Sequence, residues 1–423
     1  MVNTSLNEKH RKGQTDGRND DILEKKQDAN LKKKSAFSRM NANSLALITT
    51  VILLSVYGTI MVASAGYSFA ELRYGDAFYF IKRQIVWVGI GFFAMWIGSR
   101  TPMMFVKCLT PLAYGVTLFL LILTLAIGMV GNGAQRWISI GPFTIQPSEI
   151  AKLTVVLMLS RYFSDNEDLA FSSKNKRTDF LWGTVFPCLI LITPIFLVML
   201  QHHLSCIIIL GVLGILLIIS AGVNMRYLYA FMGMGAVGVC YIAFFTDYTK
   251  ERITVWQNPE AYKLTGGWQT LQGLMAIGSG GIFGKGLGMG ELKHSYVSEP
   301  ANDMIFAILC EELGFVGALA ALLLFAILVI TGCKIAFRTD DSFSRLVALG
   351  ITFKMAIQTL LNVAVVTNTI PNTGISLPLF SYGGSSLIMI LFEMGILLSI
   401  SKSERGTKQK MINRTDPQKL KIQ

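Results

Sequence analysis

Residues 278–314 read GSGGIFGKGLGMGELKHSYVSEPANDMIFAILCEELG. A glycine-dense run leads to a short polar patch, Ser298-Glu299-Pro300-Ala301-Asn302-Asp303, and at Met304 the chain turns apolar. From Met304 to Gly332 the run is long enough to cross a bilayer, which takes about 20 apolar residues. A carboxylate at the lip of such a helix is costly unless something there uses it. Asp303 therefore has two readings that can coexist. It can cap the Met304 helix by accepting its free N–H groups, or it can serve chemistry at the membrane boundary.

Outward from this stretch the same pattern recurs. The chain has 423 residues, 52% hydrophobic and 15% charged, with a mean hydropathy of +0.50. Soluble domains carry about 25% charged residues, so the expected class is an all-α polytopic integral membrane protein. The apolar runs predict about ten transmembrane helices: Ser44–Ala65, Phe80–Ile97, Leu109–Val130, Glu149–Phe163, Leu181–Leu200, Leu204–Val223, Tyr227–Phe245, Met304–Gly332, Leu346–Thr367 and Leu379–Ile400. A long extracytoplasmic loop, residues 246–302, separates helices seven and eight. Within it Arg252–Pro259 predicts a short interfacial helix, with Trp256 and Trp268 suited to the headgroup layer. Residues 1–43 read as a disordered basic tail, 44–400 as the transmembrane domain and 401–423 as a second basic tail.

The net charge of +12 does not imply nucleic acid, because the basic residues gather at the ends and in short loops. Lys32 to Lys34, Arg39, Arg100, Lys107, Lys174, Lys176, Arg177, Arg226, Lys334, Arg338 and the C-terminal lysines share one side. By the positive-inside rule that side is cytoplasmic, with both termini. Lys82 and Arg83, at the outer start of the second span, run against the trend. The first apolar run begins too far into the chain for an ordinary signal peptide and reads as a retained anchor.

Several motifs fail on inspection. Gly284-Lys285-Gly286 is no phosphate loop, because GxxxxGK[ST] needs glycine at Ser279 and a hydroxyl at Gly286. A turn-rich loop lining a lipid or sugar cleft fits better. Cys108, Cys188, Cys206, Cys240, Cys310 and Cys333 lie in or beside apolar segments and read as small buried hydrophobes. His202-His203 lacks the i, i+4 zinc spacing, and no metal site is evident.

Other residues carry more. Glu149 and Lys152 share one face of a span; they are either a helix-bundle lock or the lining of a polar cavity, where a fixed cation could hold a phosphate. Arg136, beside Trp137 in an outer loop, could do likewise or anchor the interface. Pro371-Asn372-Thr373-Gly374 and Ser381-Tyr382-Gly383-Gly384-Ser385-Ser386 bracket the last outer loop. They suit close helix packing or leave backbone N–H groups open to an anion. Glu311 and Glu312 lie about two turns inside the Met304 helix.

Taken in order, Gly131-Asn132-Gly133-Ala134-Gln135-Arg136-Trp137, Gln146-Pro147-Ser148-Glu149-Ile150-Ala151-Lys152, Gly278 to Gly286, Asp303-Met304-Ile305-Phe306-Ala307 with Glu311 to Gly314, and Pro371 to Ser386 resemble the SEDS family (shape, elongation, division and sporulation). The run around Asp303 is more similar to the FtsW and SpoVE branch than to RodA. The resemblance implies a ten-span peptidoglycan glycosyltransferase that polymerises lipid II on the outer face beside a class B penicillin-binding protein. It places the essential aspartate at Asp303 and the acid–lysine pair at Glu149 and Lys152. Glu299, Lys285, Thr373, Ser385 and Ser386 join Lys152, Glu149 and Arg136 as substrate-binding candidates. Where many members have Pro-Asp-Leu-Gly, this chain has Gln201-His202-His203-Leu204, without the aspartate. Asn302 and Met304 replace the commoner threonine and phenylalanine.

The implied chemistry has Asp303 as general base on a sugar hydroxyl, Lys152 and Arg136 on the leaving diphosphate, and inversion at the anomeric carbon. No cofactor is assigned from these residues, and a divalent cation is an open expectation. The rival readings are a lipid II flippase and a non-catalytic division scaffold.

Overall fold

The computed structural model describes residues 41–131, 134–140, 143–167, 180–229, 232–233, 247–294 and 299–415. Its helices are α1 (Ala42–Tyr74), α2 (Tyr79–Gly98), α3 (Met103–Ile127), α4 (Pro147–Asp165), α5 (Phe186–Leu200), α6 (Leu204–Ser220), α7 (Asp247–Gln257), α8 (Trp268–Gly280), α9 (Ile305–Phe337), α10 (Ser342–Val366) and α11 (Gly384–Thr415). A π-helical turn, Leu181–Val185, leads into α5. Pro187 explains it, since proline lacks the N–H that an α-helix would send back to Gly183.

Among the described residues seven helices are long and apolar enough to cross a membrane, and the 17-residue α6 is apolar but shorter. The protein is a multi-pass membrane protein. Its lipid-side surfaces carry exposed large hydrophobics such as Val86, Phe93, Phe119 and Leu323. α4 differs from these: it matches an expected span, yet its buried face carries both Glu149 and Lys152. The expected seventh span, Tyr227–Phe245, lies mostly outside the described residues, as does the expected disordered tail up to Met40. α11 continues into the expected C-terminal basic tail, to Thr415.

Two features depart from the expected bundle. Between α3 and α4 stands a small antiparallel sheet of β1 (Met129–Gly131), β2 (Ala134–Ile140) and β3 (Phe143–Ile145), in the order β1-β2-β3. Its registers pair Met129 with Trp137 and Ile138 with Ile145. Trp137-Ile138-Ser139-Ile140 has the alternation and β-branched content of a strand. The loop 246–302 contains α7, longer than the expected interfacial helix, and α8, which packs on α9.

α9 is broken at Gly314, whose φ of 65° and ψ of −165° are not helical. The glycine-dense loop threads this break. Lys285 and Gly286 donate backbone N–H to the Glu311 and Glu312 carbonyls at 3.0 and 2.9 Å, and Phe315 and Val316 donate to Gly281 and Ile282 at 2.9 and 3.1 Å. The interrupted helix therefore keeps its backbone groups paired, as an apolar surrounding demands. Only glycine fits: a Cβ on Gly284, at φ 78°, would sit 2.2 Å from the Glu312 carbonyl oxygen.

The larger core cluster joins α1, α9, α10 and α11, and the smaller joins α4, α5 and α6 to α10. α10 touches both. At its start Asp341 accepts from the Ser344 backbone N–H at 2.9 Å, a helix cap that fixes its entry.

Candidate active site

At one end of the bundle the starts of α4, α6, α9 and α11, the small sheet and the loop after α10 surround a cleft of about 450 Å³. Arg83 and Trp87 reach it from α2, Arg136 and Trp137 from β2, and Glu149 and Lys152 from α4. His203 and Ser205 come from α6 and its approach, and Glu299, Asn302 and Asp303 from the turn before α9. Gly374, Tyr382, Gly383 and Ser386 complete the wall.

Asp303 does not cap α9. Met304 holds the cap position, and its side chain makes no cap bond. The half-buried Asp303 carboxylate lines the cleft and accepts long bonds from Gln269 Nε2, at 3.4 and 3.3 Å. Its backbone is held more firmly: Asn362 Nδ2 donates to the Asp303 carbonyl at 2.9 Å and to the Ile375 carbonyl at 2.6 Å. Gly374, with φ 67°, leaves room beside the carboxylate; a Cβ there would stand 3.5 Å from Asp303 Oδ2. Burial, and then the negative charge of Glu299, push the Asp303 carboxyl up to about 7, against the weaker opposing pull of Gln269 and the local backbone amides. A carboxylate of that strength is balanced between taking and releasing a proton near neutral pH.

The same cleft is lined by cations. Lys152 Nζ donates to Glu149 Oε1 at 2.7 Å, and both side chains are buried. Proline at the first turn of α4 starts the helix, and three-residue spacing puts the pair on one face. Arg136 donates to the His202 carbonyl at 3.0 Å, which ties β2 to the α5–α6 turn. The buried His203 stands where the resembled family has its aspartate. Burial, then the positive charges of Arg136 and Lys152, push its imidazole down to about 3, so this wall is neutral at His203.

The structure brings together Asp303, Glu299, Glu149, Lys152, Arg136 and Ser386. Thr373 sits behind the wall, its carbonyl accepting the Ser205 hydroxyl, and Ser385 is beside the lining Ser386 without lining the cleft itself.

Lys285 is elsewhere: it does not line the cleft, and its ammonium donates to Glu311 Oε1 at 3.0 Å. The reason is that two fully buried carboxylates need partners. Glu311 also accepts from the Glu291 N–H at 2.9 Å, and Glu312 accepts from Ser64, the Gly288 N–H and Lys293, the last at 2.7 Å. The carboxylates that looked available inside α9 thus pin the glycine-dense loop.

Arg83 was missed as a site residue. Its signal was present, since a basic residue at the outer start of a span runs against the charge rule. Its guanidinium lies 4.3 Å from the centroid of the Tyr79 ring and faces the cleft. Among the described residues no three His, Cys, Asp or Glu side chains converge as metal ligands.

Residues 44–406 match the family model of cell cycle proteins that groups FtsW, RodA and SpoVE. The chain belongs to this family. Stage V sporulation protein E of Bacillus subtilis (strain 168) is 38% identical to this family member over 87% of the chain and 99% of the relative. A probable peptidoglycan glycosyltransferase FtsW from Geobacter sp. (strain M18) is 34% identical over 87% and 99%. Among solved structures, a chain from a peptidoglycan synthase complex, studied for how polymerization and crosslinking are coordinated, superposes with a TM-score of 0.72 at 25% identity. It covers 86% of this family member and 99% of that chain. The Thermus thermophilus rod shape determining protein RodA superposes with a TM-score of 0.62 at 25% identity, covering 85% and 96%. The family and its sporulation and FtsW relatives are those the sequence motifs resembled.

Proposed function

We propose that this protein is a peptidoglycan glycosyltransferase that polymerises lipid II into glycan strands at the outer face of the cytoplasmic membrane. The observation that carries this reading is the placement of Asp303 in one cleft with Lys152, Arg136 and Arg83. Chain growth requires a base for a hydroxyl and cations for a diphosphate, in one enclosure reached from lipid.

In the proposed step Asp303 accepts the proton of an acceptor sugar hydroxyl. The oxygen forms a new bond to the donor's anomeric carbon, and the bond from that carbon to the diphosphate breaks. The electron pair leaves on the diphosphate, beside Lys152 and Arg136. One displacement inverts the centre, without a sugar–enzyme intermediate. General base catalysis of this kind contributes about 10²–10⁴ in rate, and fixed cations at a leaving diphosphate act where charge develops. Both termini face the cytoplasm on this reading, and a class B penicillin-binding protein is the expected partner. Near the cleft Lys354 and Glu393 are fully buried and paired at 2.6 Å.

The test is purified Asp303→Asn with lipid II. Loss of polymer in a folded variant supports the assignment, and polymer at the wild-type yield refutes it.

A further inference from the structure

The Lys354–Glu393 pair has no place in the step above. Lys354 Nζ donates to Glu393 Oε1 at 2.6 Å, joining α10 to α11, and both side chains are fully buried. A bare interhelical lock is the simple account. Two observations point further.

The first is register. α4 runs away from the cleft, since Glu149 and Lys152 near its start line the wall. α10 runs toward it, since Gln358 lines the wall and Asn362 reaches Asp303. These antiparallel helices touch at Gly350 and Val156, where a Cβ on the glycine would meet Val156 Cγ1 at 2.4 Å. Lys152 is four residues before Val156, and Lys354 is four residues after Gly350. One helical turn on each helix therefore brings the two lysines to the same level, with Lys354 immediately beneath the cleft.

The second is unused acceptor capacity. Each lysine occupies one oxygen of its own carboxylate. The remaining oxygens, Glu149 Oε2 and Glu393 Oε2, are buried without a hydrogen-bond partner. Each of the two ion pairs thus keeps one buried carboxylate oxygen without a hydrogen-bond partner.

We infer that Lys354 is a positioning residue for diphosphate binding, the counter-ion that holds Glu149 when Lys152 leaves it for the substrate's diphosphate. Lys152 has one charge. When it turns to the diphosphate, the buried Glu149 loses its partner, and an unpaired buried carboxylate is strongly destabilising. Lys354 then shares its ammonium between Glu393 and the spare Glu149 oxygen. The exchange moves no proton and breaks no covalent bond. It lets a lysine locked in an ion pair serve as a phosphate ligand without stranding its acid.

This inference rests on the glycosyltransferase reading for the identity of the diphosphate, but it is tested by binding. The protein is the full chain in detergent, the probe is undecaprenyl diphosphate, and lipid II polymerisation is run alongside. In Lys354→Met with Glu393→Gln the interhelical pair becomes neutral on both sides, a replacement buried pairs tolerate. The expected result is a wild-type melting profile with diphosphate affinity at least about tenfold weaker, a shift of 1.4 kcal/mol. Lys354→Arg keeps the charge and should bind within a few-fold of wild type. A charge swap, Lys354→Glu with Glu393→Lys, keeps the lock but sets a carboxylate beside Glu149, and should also lose binding.

Wild-type affinity in the neutral double variant or in the swap overturns the inference. So does equal loss in Lys354→Arg and the neutral variant. A wild-type protein that binds diphosphate but makes no polymer sinks the glycosyltransferase reading instead, and the binding comparison still decides Lys354.

Discussion

The side-chain amide of Gln269 reaches both carboxylate oxygens of Asp303, at 3.4 and 3.3 Å, and is itself held at 3.1 Å by Asn372 Nδ2. Gln269 belongs to α8 and Asn372 to the loop after α10. Elements from two distant parts of the chain therefore meet at the Asp303 carboxylate.

Gln269 favours the charged form of Asp303. With the carboxyl at about 7, a general base gains activity as pH rises through that value. Gln269→Met removes the favourable bond, so the rising limb should move to higher pH. At neutral pH the variant should be slower, and at alkaline pH it should recover toward the wild-type rate. A pH–rate profile of polymerisation in which the limb stays in place would remove Gln269 from this role.

The same raised value has a thermodynamic consequence. Folding lifts the Asp303 carboxyl from the ordinary carboxylate range, about 4, to about 7. Between those values the folded state binds the proton that the unfolded state has released. Stability therefore falls as pH rises through that window and stays lower above it. Asp303→Asn removes the cost, so the inactive variant should melt higher than wild type at about pH 8 and lose that advantage near about pH 4. Thermal unfolding in detergent at both values reads the sign directly.

Lys293 is buried at 3% exposure and serves Glu312 at 2.7 Å and Ser64 at 3.1 Å. Lys293→Met should cost about 3–5 kcal/mol, because it strands a carboxylate among α1, α9 and the glycine-dense loop. Lys293→Met with Glu312→Gln should restore much of the loss. Comparable melting of the single and double variants would show that Lys293 acts through packing and not charge.

These cases mark where the sequence was legible. Apolar runs in α1, α2, α9 and α10 are set by the bilayer's thickness, so period and length were enough to find them. Glu149 and Lys152 share a face by spacing alone. The sheet carrying Arg136 was hidden because its strands are short and lie between two spans. Glu311 and Lys285 lie 26 residues apart, and nothing local says that one neutralises the other. Lys354 and Glu393 are similarly invisible, because their pairing depends on how α10 crosses α11. The sequence offered Lys285 to the cleft because glycine-rich loops suit ligands; here the loop closes a broken helix instead.

Arg83 supplies the last prediction. It approaches the cleft from α2, against the run of positive charge, and its guanidinium lies over Tyr79 at 4.3 Å while Tyr382 stands beside it on the same wall. Stacking restrains the guanidinium at the cleft wall, a placement that suits a phosphate oxygen. Arg83→Gln should raise the KM for lipid II by about tenfold, the loss of one charge-assisted contact, and lower kcat less. Arg83→Lys should recover only part of that, because an ammonium lacks the planar fork and the flat stack. Steady-state kinetics on lipid II with both variants separates the outcomes: a fall in kcat at constant KM would move Arg83 from holding the substrate to the chemical step.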